Sequence, residues 1–284
     1  VIGGRVDRGA GAGAARATRL TRVALATRLT RGAIGIIALL GAAQLALWAG
    51  RVSPDTFPLP SAVLGAAADL VTSGGFLASV GQTMTAWAEA MAIAVAIAIP
   101  VGLLLGTLRV LESLLAPVLE FLRPFPAVVL IPFVLLVVQD DHRAEVVIIT
   151  YAAVWPVLIN TIYGVRNVDP LAVETLRGFG FSRLAVARRV SLPSAAPFAA
   201  TGVRIAASLA FVVAVAVELV GTGMNGIGAF TAAAESGTGD MATLIAVAAW
   251  SGLIGLALNG LATAVERKAF RWHFIHNDSG GAAL

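Results

Sequence analysis

Long apolar runs separated by short polar stretches set the rhythm of this chain, and six of the runs have membrane length. They predict helices over about 33–48, 83–108, 115–138, 146–164, 199–220 and 243–261. The expected fold is an all-α integral membrane protein with six transmembrane helices. Ahead of the second run, Pro54, Pro58 and Pro60 give way to Ser61, Val63, Leu64, Ala67, Ala68 and Val71, the spacing of a short amphipathic helix in the interface. The second run would be ~39 Å long at 1.5 Å per residue, so it must tilt or project. Gly102 and Gly106 form a small-xxx-small step that admits a close neighbour. The third run carries Pro117, Pro124, Pro126 and Pro132, which predicts broken or bent backbone. Between the fourth and fifth runs lies a polar stretch, 169–193. There Asp169 caps and Pro170 opens a short helix, Gly180 ends it with a positive φ, and Ser182 caps a second that Pro193 is expected to end.

Composition strengthens the membrane reading, because 58% apolar residues and a mean hydropathy of +0.88 exceed what a soluble domain carries. Charge then orients it. With the N-terminus inside, the cytoplasmic segments hold 17 of the 20 Lys and Arg and the outer segments hold two, Arg51 and Arg143. The net charge of +4 therefore reflects topology and lipid, not nucleic acid. The division expected is a basic, disordered N-terminal tail over 1–31, a membrane domain over 32–272 and a C-terminal tail over 273–284, both tails cytoplasmic. A targeting peptide is the rival for the first segment, but no small-residue cleavage site follows the apolar run. Arginine makes up 19 of the 20 basic residues, which suggests a high-GC bacterial genome. Cysteine is absent, which excludes disulfides and thiolate chemistry. His142, His273 and His276 fall on opposite sides of the membrane and cannot share a metal. No phosphate-binding loop is present, so ATP should not be hydrolysed on this chain.

The central stretch resembles the signature loop of permease subunits from binding-protein-dependent ABC importers. The family pattern is Glu-Ala-Ala, three residues, Gly, nine residues, Ile-x-Leu-Pro. Glu174, Gly180, Leu192 and Pro193 stand at matching positions, while Val190 replaces Ile and Thr175 and Leu176 replace the alanines. Leu122-Arg123-Pro124-Phe125-Pro126 is similar to the family's Leu-Arg-x-x-Pro, and Phe57 to Ser61 looks like the leading segment of the nitrate, sulfonate and taurine branch. The resemblance covers about 54–272 and implies a type I importer permease in the bacterial cytoplasmic membrane, with 169–193 as a coupling helix docked on an ATPase. Its ATPase-coupling residues would be Glu174, Thr175, Leu176, Arg177, Gly180, Phe181, Arg183, Leu192 and Pro193. Implied partners are ABC ATPase subunits, which hold the ATP and Mg, an extracytoplasmic solute-binding protein, and a second permease copy or paralogue. No cofactor is expected on this chain.

A few residues outside the loop invite competing readings. Gly221, Gly223, Gly226 and Gly228 fit a dinucleotide fingerprint, but a membrane-length run precedes them, so an outer re-entrant turn is expected. Glu218 and Glu89 sit toward the outer ends of their helices. Ionisable residues in a bilayer face a cavity or a partner, so Glu218 lines the translocation path or makes an interhelical hydrogen bond, and Glu89 is a weaker path candidate. Trp155 and Asn160 could line the path or pack. Arg177, Arg183, Arg188 and Arg189 could meet acidic groups of an ATPase or lipid headgroups. A secondary transporter driven by an ion gradient would need inverted repeats and mid-membrane charges in both halves, and a recruiting scaffold would need only the loop.

Overall fold

The computed structural model describes residues 31, 34–35, 38–48, 57–221, 224–237 and 240–270. The chain falls into two compact units, 1–66 and 67–284. In the first, the apolar helix α1 (Ala38–Trp48) covers most of the described part of the run predicted over 33–48, and the Gln44 side-chain amide accepts from the Ser61 backbone N–H at 3.2 Å. The amphipathic helix expected near residue 61 is α2 (Pro60–Thr72), and the division between the units falls inside it.

The second unit is built on α3 (Gly74–Thr107), α6 (Asp141–Arg166) and α9 (Leu192–Val220), with α6 packed between the other two. On α3 the residues at four-residue intervals are Ala86, Ala90, Ala94, Ala98, Gly102 and Gly106. This single stripe of small side chains faces the core, where the four alanines are completely buried. In lipid there is no hydrophobic gain from joining two helices, so van der Waals contact at short range must hold them, and small residues permit that range. A Cβ added at Gly102 would lie 2.7 Å from Thr161 Cβ, and one at Gly106 2.7 Å from Val165 Cβ. Pairings of rising number on both helices make α3 and α6 parallel. Gly164 meets Ala195 and Phe198, whereas Gly202 meets Pro156 and Asn160, so α9 is antiparallel to α6.

The chain returns between α3 and α6 through a broken segment. Helix α4 (Arg109–Leu122) is followed by a 3-10 turn (Ala127–Leu130) and α5 (Ile131–Val137), and the two halves are bent by 83°. The predicted disruption is present, with Pro124 and Pro126 at the break. After α9 come the short α10 (Ile227–Gly237) and α11 (Met241–Ala269), whose N-terminus is capped by Asp240 accepting from Ala242 and Thr243. Arg204 pairs with Glu266 at 3.2 Å and Gly255 faces Phe211, which makes α11 antiparallel to α9.

Four helices among the described residues are long and apolar enough to cross a membrane, or five if the bent pair is one span. The observed helices overrun the predicted ones because capping residues, not the ends of the apolar runs, set their limits. Helix α3 begins nine residues before position 83, where Ser73 Oγ accepts from Phe76 N–H, and α6 begins at Asp141, where Asp140 accepts from Arg143 N–H. Proline 193 does not end a helix, contrary to expectation. Residues 183–186 (α8), a π-helical run Ala187–Ser191 and α9 follow without a break. In the wide turn the Leu192 N–H donates to Ala187 O, five residues back, which gives the Pro193 ring room that an α-turn would deny it.

Candidate functional site

The stretch between α6 and α9 folds as its residues dictate. Asp169 Oδ1 accepts from Leu171 N–H at 2.9 Å, Pro170 supplies the fixed φ of the first turn, and α7 runs Pro170–Gly178. At its far end Gly180 N–H donates to Arg177 O at 2.9 Å and Phe181 N–H to Leu176 O at 3.1 Å. That pair of bonds with Gly180 at φ +80° is the Schellman arrangement, in which a left-handed residue reverses the chain. Ser182 Oγ then accepts from Ala185 N–H at 3.3 Å, the cap expected for the next turn.

The surface of α7 is amphipathic, and among the described residues much of it is exposed. Leu171 is 69% and Phe179 77% exposed, beside exposed Glu174, Thr175 and Arg177, while Thr175 Oγ1 donates to Leu171 O within the helix. Leu176 is half-buried. Phe181 lies under the Arg189 guanidinium, 4.8 Å from ring centroid to Cζ. Leu192 and Pro193 are exposed at the start of α9. Arg183 belongs to α8, its side chain lying outside the described residues. The residues expected to couple therefore form one connected segment at the end of the bundle that also carries Arg109, Arg166, Arg188, Arg267 and Lys268.

A cavity of about 560 Å³ opens beside the break between α4 and α5, lined by Arg123, Tyr151, Trp155, Asn160, Ile205 and Leu209 among others. Trp155 and Asn160 both reach it, and Asn160 Nδ2 donates to Pro156 O at 2.8 Å. The wall is held by a bond that the sequence does not foretell. Pro126 has no N–H to offer the Leu122 carbonyl, and the Tyr151 hydroxyl donates to that oxygen at 2.6 Å. Tyr151 and Trp155 stack edge to face with ring centroids 5.7 Å apart. A second cavity, about 280 Å³, shares Arg123 and Trp155 with the first, and beside it Glu112 of α4 pairs with Arg166 of α6.

The two glutamates singled out from the sequence lie at the opposite end and in different settings. Glu218 is 1% exposed and lines none of these cavities. Its Oε2 accepts from Gly228 N–H at 2.8 Å, and Thr83 Oγ1 accepts from Ile227 N–H at 2.9 Å. Together they cap the start of α10. Gly226 has φ +131°, and a Cβ on Gly228 would fall 2.3 Å from Val215 O. Gly226 and Gly228 of the fingerprint-like run thus serve a turn and a close backbone approach, not a phosphate. Glu89 is half-exposed and pairs with His142 at 3.0 Å. Next to that pair is a cavity of about 410 Å³ whose lining includes Gln82, Thr85, Asp141, His142, Glu145 and Asn225. Sequence reasoning misses Glu145. The available signal is its place four residues after Asp141, on the same face at the head of an apolar helix.

Among the described residues no group of three His, Cys, Asp or Glu could hold a metal ion. The arrangement is a helical frame with cavities along it and an exposed amphipathic helix at one end, which suits moving a solute and engaging another protein.

Comparison with known proteins agrees. Residues 98–271 match the family described as "Binding-protein-dependent transport system inner membrane component". A bicarbonate transport system permease protein, CmpB, of Synechococcus elongatus is 33% identical over 189 residues, covering 66% of this chain and 68% of the relative. A nitrate import permease protein, NrtB, of Leptolyngbya laminosa is 33% identical over 161 residues, 57% of each chain. In fold, a chain of the MetNI methionine ABC transporter in an inward-facing conformation aligns with a TM-score of 0.58 at 17% identity, covering 68% of this chain and 95% of that one. An amino acid ABC transporter aligns at 0.56 and 18%, covering 68% and 93%. This chain belongs to the family of inner-membrane permease components of binding-protein-dependent transport systems and is a multi-pass permease subunit of an ABC importer.

Proposed function

We propose that this permease, paired with a second copy or a paralogue, forms the path for a small oxyanion of the bicarbonate or nitrate kind in a bacterial cytoplasmic membrane. An extracytoplasmic binding protein delivers the solute, and ATPase subunits grip the 169–193 segment, holding the ATP and Mg that this chain does not. The observation that carries the coupling role is α7 itself, a capped helix with apolar and charged side chains exposed together. The orientation draws support from charge, because Arg109, Arg166, Arg177, Arg183, Arg188, Arg189, Arg267 and Lys268 gather at the α7 end and Arg143 stands at the other.

Path and solute follow from the cavity beside the broken helix. Its polar lining is one guanidinium, on Arg123, with the Trp155, Tyr151 and Asn160 side chains, and no carboxylate. A donor-rich wall without negative charge suits an anion, and the relatives named for bicarbonate and nitrate point the same way. In the cycle we envisage, ATP binding closes the ATPase dimer and draws the two α7 helices together. The rigid α6 and α9, packed through Gly164 and Gly202, carry the motion to the opposite end. Reconstitution with the ATPase and binding protein in proteoliposomes tests this through ATP-dependent uptake of labelled nitrate and bicarbonate. Gly180→Leu, which cannot hold φ +80° without strain, should insert and fold yet take up nothing. Uptake at the wild-type rate would refute the coupling role.

A further inference from the structure

We propose that a polar stripe on α4 leads the solute from the 560 Å³ cavity toward the α7 end, with Arg123 binding the anion and Glu120 making it let go. The proposal deepens the oxyanion reading above and rests on it. Two observations carry it. The first is the stripe. Spacings of three and four residues place Glu112, Ala116, Glu120 and Arg123 on one face of α4, and all four line the 280 Å³ cavity. Arg123, one residue beyond the helix, keeps its turn with φ −56° and ψ −47°. Val110, Leu114, Val118 and Phe121 lie on the opposite face and are exposed, as lipid-facing groups are. In a bilayer a helix turns its charged stripe to water or protein, and here it turns to a cavity. Arg123 also lines the larger cavity, whereas Glu112 and Glu120 line only the smaller of the two.

The second observation is the balance of charge. Four charged side chains line the smaller cavity, Glu112, Glu120, Arg123 and Arg166, and Glu112 is engaged by Arg166. Among the described residues neither Glu120 nor Arg123 has an ion-pair partner. Arg123 lies inside the bundle, level with the middle of α6, because the Leu122 carbonyl beside it takes the Tyr151 hydroxyl at 2.6 Å. An isolated charge at that depth is costly and calls for a counter-ion. Two can supply it, a solute anion in the larger cavity and the Glu120 carboxylate one turn back on the same face. A site along a path must bind and then release. Glu120 competes for the guanidinium N–H groups and so frees the anion into the smaller cavity, where Arg166 is already held by Glu112 and cannot retain it. The emptied site is then a neutral pair and not a bare cation open to any anion.

The test uses the full chain assembled with its ATPase in nanodiscs, with nitrate as the probe, phenylglyoxal as an arginine-specific label and peptide mass spectrometry as the readout. Nitrate should protect Arg123 and leave unchanged the labelling of Arg109, which lines neither cavity. Glu120→Gln should raise Arg123 labelling without nitrate. It should also lower the nitrate concentration for half-protection by about two- to fivefold, the range for loss of a partly exposed competing ion pair. In proteoliposomes with ATPase and binding protein, the same variant should import nitrate more slowly at saturation, because release is slowed. Arg123→Gln should lower uptake by about tenfold or more, and adding Glu120→Gln to it should change nothing further. Co-elution of the ATPase verifies assembly, and the Glu120→Gln labelling decides the matter even if Arg123→Gln does not assemble. Additive losses in the double variant, or unchanged labelling and half-protection in Glu120→Gln, would overturn the switch. Wild-type uptake by Arg123→Gln, with no protection of Arg123 by nitrate, would take the route away from α4 and leave the importer reading intact. Wild-type proteoliposomes that import neither nitrate nor bicarbonate under ATP would defeat the oxyanion reading and the switch with it.

Discussion

Replacing Gly102 by alanine separates close packing from helix propensity. The new Cβ would lie 2.7 Å from Thr161 Cβ, about 0.7 Å short of ordinary contact at 3.4 Å, and 3.1 Å from the Leu158 carbonyl oxygen. Thr161 cannot step aside. It is fully buried and its hydroxyl donates to Val157 O at 2.7 Å, so α3 and α6 must part instead. Overpacking of this kind costs ~1–3 kcal/mol. Against it, alanine is preferred to glycine inside a helix by ~1 kcal/mol. Packing should win, with a net loss of about 1–2 kcal/mol if the middle and upper parts of the range apply. Gly252→Ala on α11 is the control, because nothing lies within 4 Å of its added Cβ and only the propensity gain remains. Thermal unfolding in detergent, followed by tryptophan fluorescence at one scan rate, should set the two variants several degrees apart, taking ~2–4 °C per kcal/mol for a chain of this size. Adding Thr161→Gly should recover part of the loss. If Gly102→Ala melts with or above Gly252→Ala, the close α3 and α6 interface is wrong.

Three further outcomes follow from individual bonds. Tyr151→Phe should cost about 1 kcal/mol in unfolding free energy and increase proteolysis at residues 123–126. The loss is moderate because Leu122 O still accepts from Phe125 N–H at 3.1 Å. Glu218→Ala strands the Gly228 N–H and should destabilise by about 1–3 kcal/mol, with faster amide exchange across 227–230, whereas Glu218→Gln keeps an acceptor and should lose much less. The Asp240 carboxyl is held below its ordinary value, first by the Thr243 hydroxyl and then by the Ala242 N–H. Its contribution to the start of α11 should therefore be present above the unfolded-state value of 3.8 and fade as pH falls through the lower folded value. Asp240→Asn should abolish that acid dependence of amide exchange at 242–244, and an unchanged profile would refute it.

Legibility in the sequence differs from element to element. The α7 turn can be read to the residue, since Asp169, Pro170, Gly180 and Ser182 act within five positions of themselves and local chemistry decides their geometry. The broken segment is foreseeable from Pro124 and Pro126 for the same reason. Helix limits are less so, because hydropathy reports where a chain is apolar whereas Ser73 and Asp140 decide where hydrogen bonding begins. The continuity through Pro193 escapes such a reading, because a π-helical turn five residues wide is not encoded in any one residue.

The sequence by itself determined that the chain is a helical membrane protein, which of its loops carries the importer signature and which family its motifs resemble, since each of these rests on composition or on short-range spacing. Only the tertiary structure decided what the buried polar groups do. Glu218 caps the start of α10, Tyr151 was matched to the Leu122 carbonyl 29 positions away, and Glu145 came to lie against Glu218. Those pairings depend on which helices lie side by side and in what register, and that register is set by glycine and alanine stripes whose contact partners lie on other helices.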